Sequence, residues 1–586
     1  MRWEARTMRF GKSFFNGAVA RSDVRRYWPA LLIYFLPWVV ALPLSLSQEQ
    51  GYAEDSGVTV LYTLPFSVVM TCIIGCVLGA ALMSYLTSPR AVQTLHALPL
   101  KRTAVLLTHF VTGFAMFTAT NLLLVLLSVF ATVQKVPWAA LGIWLGLTEL
   151  MGFFFLSLGF LASTLTGWLL AIPAVYALVQ SAAAAVYALL HGIGSAFYYG
   201  YAPIYDLPDA LLWLTPAVHL CDLCEDAVVW DYSGVTAVAL SDRVAPETLA
   251  AVWVYAAVGV VLLALSCVLY ALRRSESAGD AVAHRPLRPV VKYVGALGVG
   301  LAAGLLLHGI FDLDIIVAAA VCAVIACFVI EMLLKKTAKV FRTGWKSAAA
   351  VCVAVIAVCL CIRFDLTGYQ TRVPAPDDVA DVQINLRGRA GVYGNTYTDR
   401  ETIDAALALH RQIVADWREN GERPAGENDV YFFFYVTYRL QNGATVSREY
   451  HSAISKGSEA ESLANALCNT RAMQWHRVFG DLPMDKTPQL TGGYLSGWNR
   501  TTGDLHEVSL SAEQAQQFYA ALLEDLNNGC FAGSVLEDEG PLTFDLELFS
   551  KDENFSGYIG YLTPSCAATV ALLKTYGLTE RDLFSE

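Results

Sequence analysis

The sequence predicts a polytopic α-helical membrane protein with about nine spans and a C-terminal α+β domain outside the membrane. Three observations predict this fold class: long apolar runs, a change to ordinary soluble composition after residue 363, and alternating loop charge. A helix of about 20 apolar residues crosses a hydrocarbon core of about 30 Å. Runs of that length lie at about residues 28–47, 60–84, 103–132, 138–163, 166–192, 249–272, 290–310, 314–334 and 346–363.

Loop charge fixes the number and direction of these spans. The fourth and fifth runs are separated only by Ser163, Thr164 and Gly167, and a count of eight would invert every later segment. Lys and Arg collect in loops that stay in the cytoplasm. Nine spans satisfy this rule throughout, which predicts an N terminus inside and a C-terminal domain outside. Basic residues predominate in segments 1–27, 85–102, 273–292 and 335–346, and acidic residues in 48–58 and 193–248.

The chain from Phe364 onwards is acidic, with 17 Lys and Arg against 32 Asp and Glu. Such a domain is unsuited to binding nucleic acid or anionic lipid. The first apolar run is too long for a cleavable signal peptide, so we expect it to act as a signal anchor. Of the 13 cysteines, five lie outside the spans, which is no disulfide framework but leaves room for one or two bonds. These are Cys221, Cys224, Cys468, Cys530 and Cys566.

No motif supports catalysis by this chain. The run Gly11-Lys12-Ser13 lacks the first glycine of a P-loop, because Arg6 occupies its position. The metalloprotease and hydrolase signatures H-E-x-x-H and G-x-S-x-G do not occur either. His219, Cys221 and Cys224 have the spacing of half a zinc site, but no second pair follows, so we predict a short helix there and no metal.

The segment between the second and third spans carries the first candidate site. From Pro89 it predicts a short helix that ends before Pro99 and places Val92, Leu95 and His96 on one face. A short amphipathic helix tied to two spans suits a device by which a separate motor acts on a membrane domain. A solvated basic turn fits this stretch alone equally well.

Several segments resemble a known transporter family. The run LHALPLKRTAVLLTHFVTG (95–113) resembles the cytoplasmic-loop signature of type-two ATP-binding-cassette (ABC) transporter permeases, as does a six-span core behind a basic amphipathic leader. Residues 273–293 (RRSESAGDAVAHRPLRPVVKY), 331–346 (EMLLKKTAKVFRTGWK) and 367–384 (TGYQTRVPAPDDVADVQI) are similar to a bacterial branch of that family. That branch adds three spans and a large outer domain to the core.

The resemblance implies four parts: a leader (1–27), a permease core (28–272) with an outer loop (193–248), a linker with three further spans (273–363), and an outer domain (364–586). It implies an exporter permease of the bacterial plasma membrane that works with an ABC ATPase subunit and a second permease, the same or homologous. ATP and magnesium would bind that ATPase, and this chain would hold no cofactor. The coupling role would fall on Arg90, His96, Leu98, Pro99, Lys101 and Arg102, and the second and fifth spans would line the path.

Three polar residues inside the spans form the second candidate site. Asn121 and Glu149 each lie about 11 residues from the predicted outer ends of adjacent spans, and Gln180 lies at a similar depth. Intramembrane acids face a partner or a wet cavity. We expect a polar layer that joins helices by hydrogen bonds, the alternative being contact with substrate.

The outer domain reads as α+β. Alternating residues in 432–440 predict a strand, and Asn442-Gly443 predicts a type I′ hairpin turn. Capping boxes, Thr398 with Glu401 and Ser511 with Gln514, predict two helices. Strands at 542–549 and 558–562 and closing helices near 458–472 and 565–576 suggest a tandem strand-helix-hairpin-helix unit. A sensor or binding module whose outer domain detects a ligand remains the alternative function; it would have a histidine kinase or no partner.

Overall fold

A computed structural model describes residues 15–48, 55–97, 100–132, 135–202, 207–225, 244–366, 368–386, 392–421, 429–480, 482, 484, 487–498, 505–534, 544–550 and 565–578. The chain forms two compact units. The membrane unit contains Met1–Gly192 and Tyr205–Cys359, and the C-terminal unit contains Ile193–Ile204 and Leu360–Glu586.

Nine helices in the described part are long and apolar enough to cross a membrane, which confirms the predicted number. The fourth and fifth are separate helices, and the segment between them is held by the linker: Gly167 N–H donates to the Asp280 carbonyl at 2.8 Å. Spans 1 to 9 are Gly17–Gln48, Gly57–Leu82, Arg102–Ala131, Trp138–Leu165, Ala171–Phe197, Pro246–Leu272, Leu287–Phe311, Ile315–Lys335 and Phe341–Arg363.

Span 1 begins earlier than its apolar run because the leader helix Gly17–Tyr27 continues into it. Its helix type then changes, with a 3-10 turn at Trp28–Leu31 and a π turn at Val40–Leu44. Pro37 lies in the α-helical part between these turns, Leu32–Val39, and Pro43 lies in the π turn; both lack the N–H that a regular α-helix uses. The apolar residues of the first part of the leader, Phe10 and Phe14, lie outside the described residues.

Small residues allow two pairs of spans to pack closely. A Cβ atom added to Gly79 of span 2 would lie 2.7 Å from the carbonyl carbon of Gly159 in span 4. A Cβ atom added to Gly304 of span 7 would lie 2.6 Å from Ala319 of span 8. Close backbone approach of this kind is how membrane helices gain packing energy without a hydrophobic driving force.

The C-terminal unit contains a four-stranded antiparallel sheet in its first half, in the order β2-β1-β3-β4. The hairpin between β3 and β4 forms at the predicted place, but its turn differs: only Gly443 has positive φ, at 82°, so the turn is not type I′. The strands are β1 (Val379–Leu386), β2 (Val392–Tyr397), β3 (Asp429–Leu440) and β4 (Thr445–Ser455).

Helices cover this first sheet. The helix Arg400–Asn420 is capped by Asp399, whose side chain accepts from Thr402 N–H, and not by the predicted Thr398. An Asp at this position also places a negative charge at the helix N terminus. The predicted closing helix is two helices, Glu459–Cys468 and Arg471–Phe479.

The second half has a smaller sheet in the order β6-β5-β7. The capping box of Ser511 and Gln514 is confirmed at the start of helix Ala512–Asn527. The strands are β5 (Leu490–Trp498), β6 (Leu505–Ser511) and β7 (Phe544–Ser550), and the closing helix is Ala567–Thr575. In both halves two strands precede the helix, whereas the sequence suggested one; the predicted strand 558–562 lies outside the described residues.

Candidate functional site

The segment between spans 2 and 3 forms the predicted short helix, Pro89–His96. Pro89 occupies the first turn, where a missing N–H has no cost, and Ser88 before it is extended. One side of this 89–96 helix is exposed, including Arg90, and Lys101 beyond it is exposed too, whereas Val92 is buried. Leu98 and Pro99, predicted to share the site, lie outside the described residues.

The other side of the 89–96 helix is joined to the end of span 6. The two ring nitrogens of His96 lie 3.1 Å from Ser275 Oγ and 3.0 Å from the Tyr270 hydroxyl oxygen. Arg102 donates to the Arg273 carbonyl at 2.6 Å. Partial burial lowers the pKa of His96, as do the charges of Arg102 and Arg273. His96 and Arg102 therefore hold the helix in place, while Arg90 and Lys101 are presented outwards.

These contacts gather the basic segments of the chain at one end of the membrane unit. The linker binds the segment between spans 4 and 5 through Gly279 N–H, which donates to the Gly167 carbonyl at 2.7 Å. Asp280 of the linker pairs with Lys336, at the end of span 8, at 2.5 Å. We call this region, with segments 85–97, 100–102, 163–168, 273–292 and 331–346, the basic end.

Two of the three predicted intramembrane residues meet directly. Asn121 Nδ2 donates to Glu149 Oε1 at 2.8 Å, as expected for residues at equal depth in adjacent antiparallel spans. The sequence did not reveal two further members: Thr118 donates to Glu149 Oε2 at 2.7 Å, and Tyr34 donates to Asn121 Oδ1 at 2.8 Å. These four residues form the polar cluster, in which Asn121 and Thr118 donate to the Glu149 carboxylate and Tyr34 donates to Asn121.

Gln180 lies apart from the polar cluster. Its Nε2 donates to Cys72 Sγ of span 2 at 3.3 Å, and Tyr176, one turn earlier, donates to the Cys72 carbonyl at 2.8 Å. The depth of a residue in the membrane does not determine which neighbouring helix its side chain contacts. Gln180 and Tyr176 thus join span 5 to span 2.

The predicted short helix at the half zinc site is present as Pro216–Glu225. His219 Nδ1 lies 2.8 Å from the hydroxyl oxygen of Tyr255, in span 6. Cys221 and Cys224 are both free thiols, and burial raises the pKa of Cys224 to about 12, which keeps it protonated. This helix is therefore connected to span 6 through His219, the histidine that would be a ligand in a zinc site.

The C-terminal unit contains an earlier segment of the chain, Ile193–Ile204, which includes the last residues of span 5 and the chain directly after it. Tyr199 N–H donates to Gln370 Oε1 at 3.1 Å, and its ring is stacked on Trp417 with centroids 5.1 Å apart. Two open clefts of about 260 and 360 Å³ adjoin Tyr201 in this unit. The described lining of the larger cleft includes Arg372 and Arg448.

Comparison with known proteins adds nothing to these observations: no family model, no curated protein and no solved structure matches the chain.

Proposed function

We propose that the protein is the membrane-spanning permease subunit of an ATP-driven exporter in a bacterial plasma membrane. The observation that carries the proposal is the 89–96 helix, which is fixed to the membrane unit on one side and exposed on the other. An ATPase that docks on the exposed side pulls or pushes directly on two spans. This chain has no P-loop, so the ATPase is a separate subunit that binds ATP and magnesium.

In the proposed orientation the basic end faces the cytoplasm and the C-terminal domain lies outside. The positive-inside rule supports the first statement. The segment after span 5 supports the second, because it belongs to the same compact unit as the chain that follows span 9. With nine spans, spans 5 and 9 both run from inside to outside, so both of these segments emerge on the outer face.

The exporter works with a second permease, the same chain or a homologue, as the family resemblance implies. We infer that the C-terminal domain arose by duplication of one structural unit. The order of strands supports this, because in each half the first strand lies between the second and the third. The substrate class follows from none of these features.

Docking on the 89–96 helix is tested by reversing an exposed charge. We expect Arg90→Glu to weaken capture of the ATPase by the full-length chain and to lower the ATP hydrolysis rate of the purified complex. Leu98→Asp should act in the same direction, because a charge placed in an apolar contact costs several kcal/mol. Membrane insertion should be unchanged in both variants.

Arg342→Glu is the matched control, since Arg342 is also exposed at the basic end but lies in the first turn of span 9, away from the 89–96 helix in sequence. Equal binding of the ATPase by wild type, Arg90→Glu and Arg342→Glu would refute the docking assignment. If the wild-type chain purifies without any P-loop ATPase, the proposed function itself is wrong.

The second candidate function is a membrane-anchored sensor. The observation that favours it is the bonding of the segment after span 5 within the C-terminal unit, where Glu449 N–H also donates to the Gly200 carbonyl at 3.3 Å. A ligand in the clefts beside Tyr201 would act on this segment directly. Co-purification of a histidine kinase, or of no partner, would favour the sensor over the exporter.

A further inference from the structure

Arg273 is a buried cation at the basic end with an unusual set of partners. It follows the last residue of span 6, and its side chain is only 5% exposed. Its Nη1 donates to the Ser163 and Thr164 carbonyls at 3.0 and 3.3 Å, and its Nη2 donates to the Leu86 carbonyl at 3.1 Å. Its Nε donates to Ser277 Oγ at 3.2 Å. Within the described residues, all of these acceptors are uncharged oxygens.

The acceptors lie at the ends of two other spans. Ser163 and Thr164 belong to the last turn of span 4, where unpaired carbonyls and the helix dipole present negative charge. Leu86 lies in the 3-10 turn Ser84–Thr87, which leads from span 2 into the 89–96 helix. A single guanidinium therefore joins the ends of spans 2, 4 and 6, and burial lowers its pKa to about 10.

The neighbouring acid, Asp280, acts on Arg273 only through its charge and forms no direct ion pair with it in the described part of the chain. Asp280 instead pairs with Arg288 at 2.7 Å and with Lys336 at 2.5 Å. A desolvated cation is costly unless its N–H groups are satisfied. The planar fork of arginine meets several carbonyls at once, whereas the single ammonium group of lysine does not reach the same directions. The site is thus built for the geometry of arginine and not merely for its charge.

The chain around Arg273 is held by the 89–96 helix and by the start of span 3. His96 contacts Tyr270 and Ser275, on either side of Arg273, and the Arg273 carbonyl accepts from Arg102, the first residue of span 3. Movement of the 89–96 helix therefore displaces residues 270–275. The Arg273 side chain carries the same displacement to Leu86, Ser163 and Thr164.

We propose that Arg273 is a positioning residue that transmits movement of the 89–96 helix to the ends of spans 2, 4 and 6. This inference rests on the proposed function, because it assigns a route for the force that a docked ATPase applies. Arg273 touches neither ATP nor substrate in this scheme. Its replacement should therefore separate assembly from coupling.

The test compares Arg273→Lys with Arg274→Lys in the complex purified with its ATPase. Arg274 is the adjacent arginine and is exposed, so its replacement controls for charge and chain position. We expect Arg273→Lys to assemble normally but to lower stimulation of ATP hydrolysis by the permease about tenfold, within the range of ordinary coupling energies. Arg274→Lys should resemble wild type.

A double-mutant cycle with His96→Gln identifies the route. If both residues lie on one route, their effects on the stimulation of ATP hydrolysis are not additive. The double variant should then lose no more stimulation than the more impaired of the two single variants. Ser277→Ala removes the partner of Arg273 Nε, together with the bond that Ser277 Oγ donates to the Arg274 carbonyl. It should give a smaller loss, which keeps the test available if Arg273→Lys folds poorly.

A spin label on Thr94→Cys gives a readout that needs no ATPase, since Thr94 is exposed on the 89–96 helix. Label mobility should rise in Arg273→Lys and stay constant in Arg274→Lys. Wild-type stimulation together with unchanged mobility in Arg273→Lys would overturn the inference while leaving the proposed function intact. Failure of the wild-type chain to bind an ATPase would overturn both.

Discussion

At the basic end of the membrane unit, Glu331 is buried with two cationic partners, whereas His410 in the core of the C-terminal unit is buried with no carboxylate partner among the described residues. The Glu331 oxygens lie 2.8 Å from Lys292 Nζ and 2.6 Å from Lys335 Nζ. His410 Nε2 lies 2.8 Å from the Tyr450 hydroxyl oxygen, and its ring is stacked on Tyr438. The first site depends on keeping a charge compensated, and the second depends on keeping an imidazole neutral.

This difference gives the two units different sensitivities. Burial lowers the pKa of His410 to about 3, and the charges of Arg448 and Arg411 act in the same direction. A core that contains a neutral imidazole is destabilised by acid, because the imidazole is protonated more readily in the unfolded state. A buried ion pair is destabilised by removal of one of its partners. We therefore expect low pH to destabilise the C-terminal unit more than the membrane unit. We expect substitution of Glu331 to destabilise the membrane unit more than the C-terminal unit.

The largest expected effect is acid destabilisation through His410. Because its folded pKa of about 3 lies below the unfolded value of about 6.5, the unfolded state binds the extra proton as pH falls between them. Stability is full above pH 6.5 and declines by about 1.4 kcal/mol per pH unit below it, to a total loss of about 5 kcal/mol near pH 3. Limited proteolysis of the C-terminal domain in full-length protein, from pH 7 to pH 4, measures this loss.

His410→Gln keeps a hydrogen-bonding group but does not titrate, so its stability should depend less on pH than that of wild type. His451→Gln is the control, because the His451 side chain is half exposed and pairs with Glu449 on the surface. Parallel pH profiles for wild type and His410→Gln would exclude His410 as the source of acid sensitivity.

The next largest effect is expected for Glu331→Gln. This change leaves Lys292 facing Lys335 without the carboxylate between them, and loss of one member of a buried pair costs about 3 kcal/mol. Part of the cost is relieved by solvent, since the Lys335 side chain is 47% exposed. Thermal unfolding in detergent should show a lower midpoint.

Removing the charge on both sides should restore much of that loss. We expect the double variant Lys292→Gln with Glu331→Gln to unfold closer to wild type than the single Glu331→Gln variant does. Lys336→Gln controls for a surface pair, since Lys336 is half exposed and faces Asp280. A double variant less stable than the single one would show that the pair acts through hydrogen bonds and not through charge balance.

The number of spans could be predicted because each apolar run is long enough to cross the membrane, and because loop charge distinguishes nine spans from eight where the fourth and fifth runs nearly join. The contact between Asn121 and Glu149 could also be predicted, since a short connection places both residues at one depth in antiparallel helices. Arg273 could not: its burial arises where segments around Leu86 and Ser163, more than 100 residues away in the chain, converge. In sequence it is indistinguishable from the exposed Arg274.

In the C-terminal domain, the sequence likewise predicted a helix cap correctly but did not predict the type of a turn. Ser511 and Gln514 form the capping box because both halves of that motif lie within one helical turn. The turn at Asn442-Gly443 follows a different geometry, because Gly443 alone takes the left-handed conformation there. Turn type depends on the register of the paired strands, which the dipeptide does not determine.

The smallest expected effect concerns Glu149. Its carboxylate accepts hydrogen bonds from uncharged donors, so it is intermediate between Glu331, which has cationic partners, and the neutral His410. Glu149→Gln keeps an oxygen for Asn121 and an amide that can donate to Thr118, because a hydroxyl accepts as well as donates. If the polar cluster only joins helices, stability should change by about 0.6 kcal/mol or less, and transport should persist.

Glu149→Leu removes both bonds and should cost about 1 to 2 kcal/mol, measured as thermal unfolding of the purified chain. Transport by the complex then separates the two roles of this carboxylate. Loss of transport in Glu149→Gln at unchanged thermal stability would contradict the joining role, because only the charge has been removed. Glu149 would then belong to the substrate path, where its charge meets a cation or a proton.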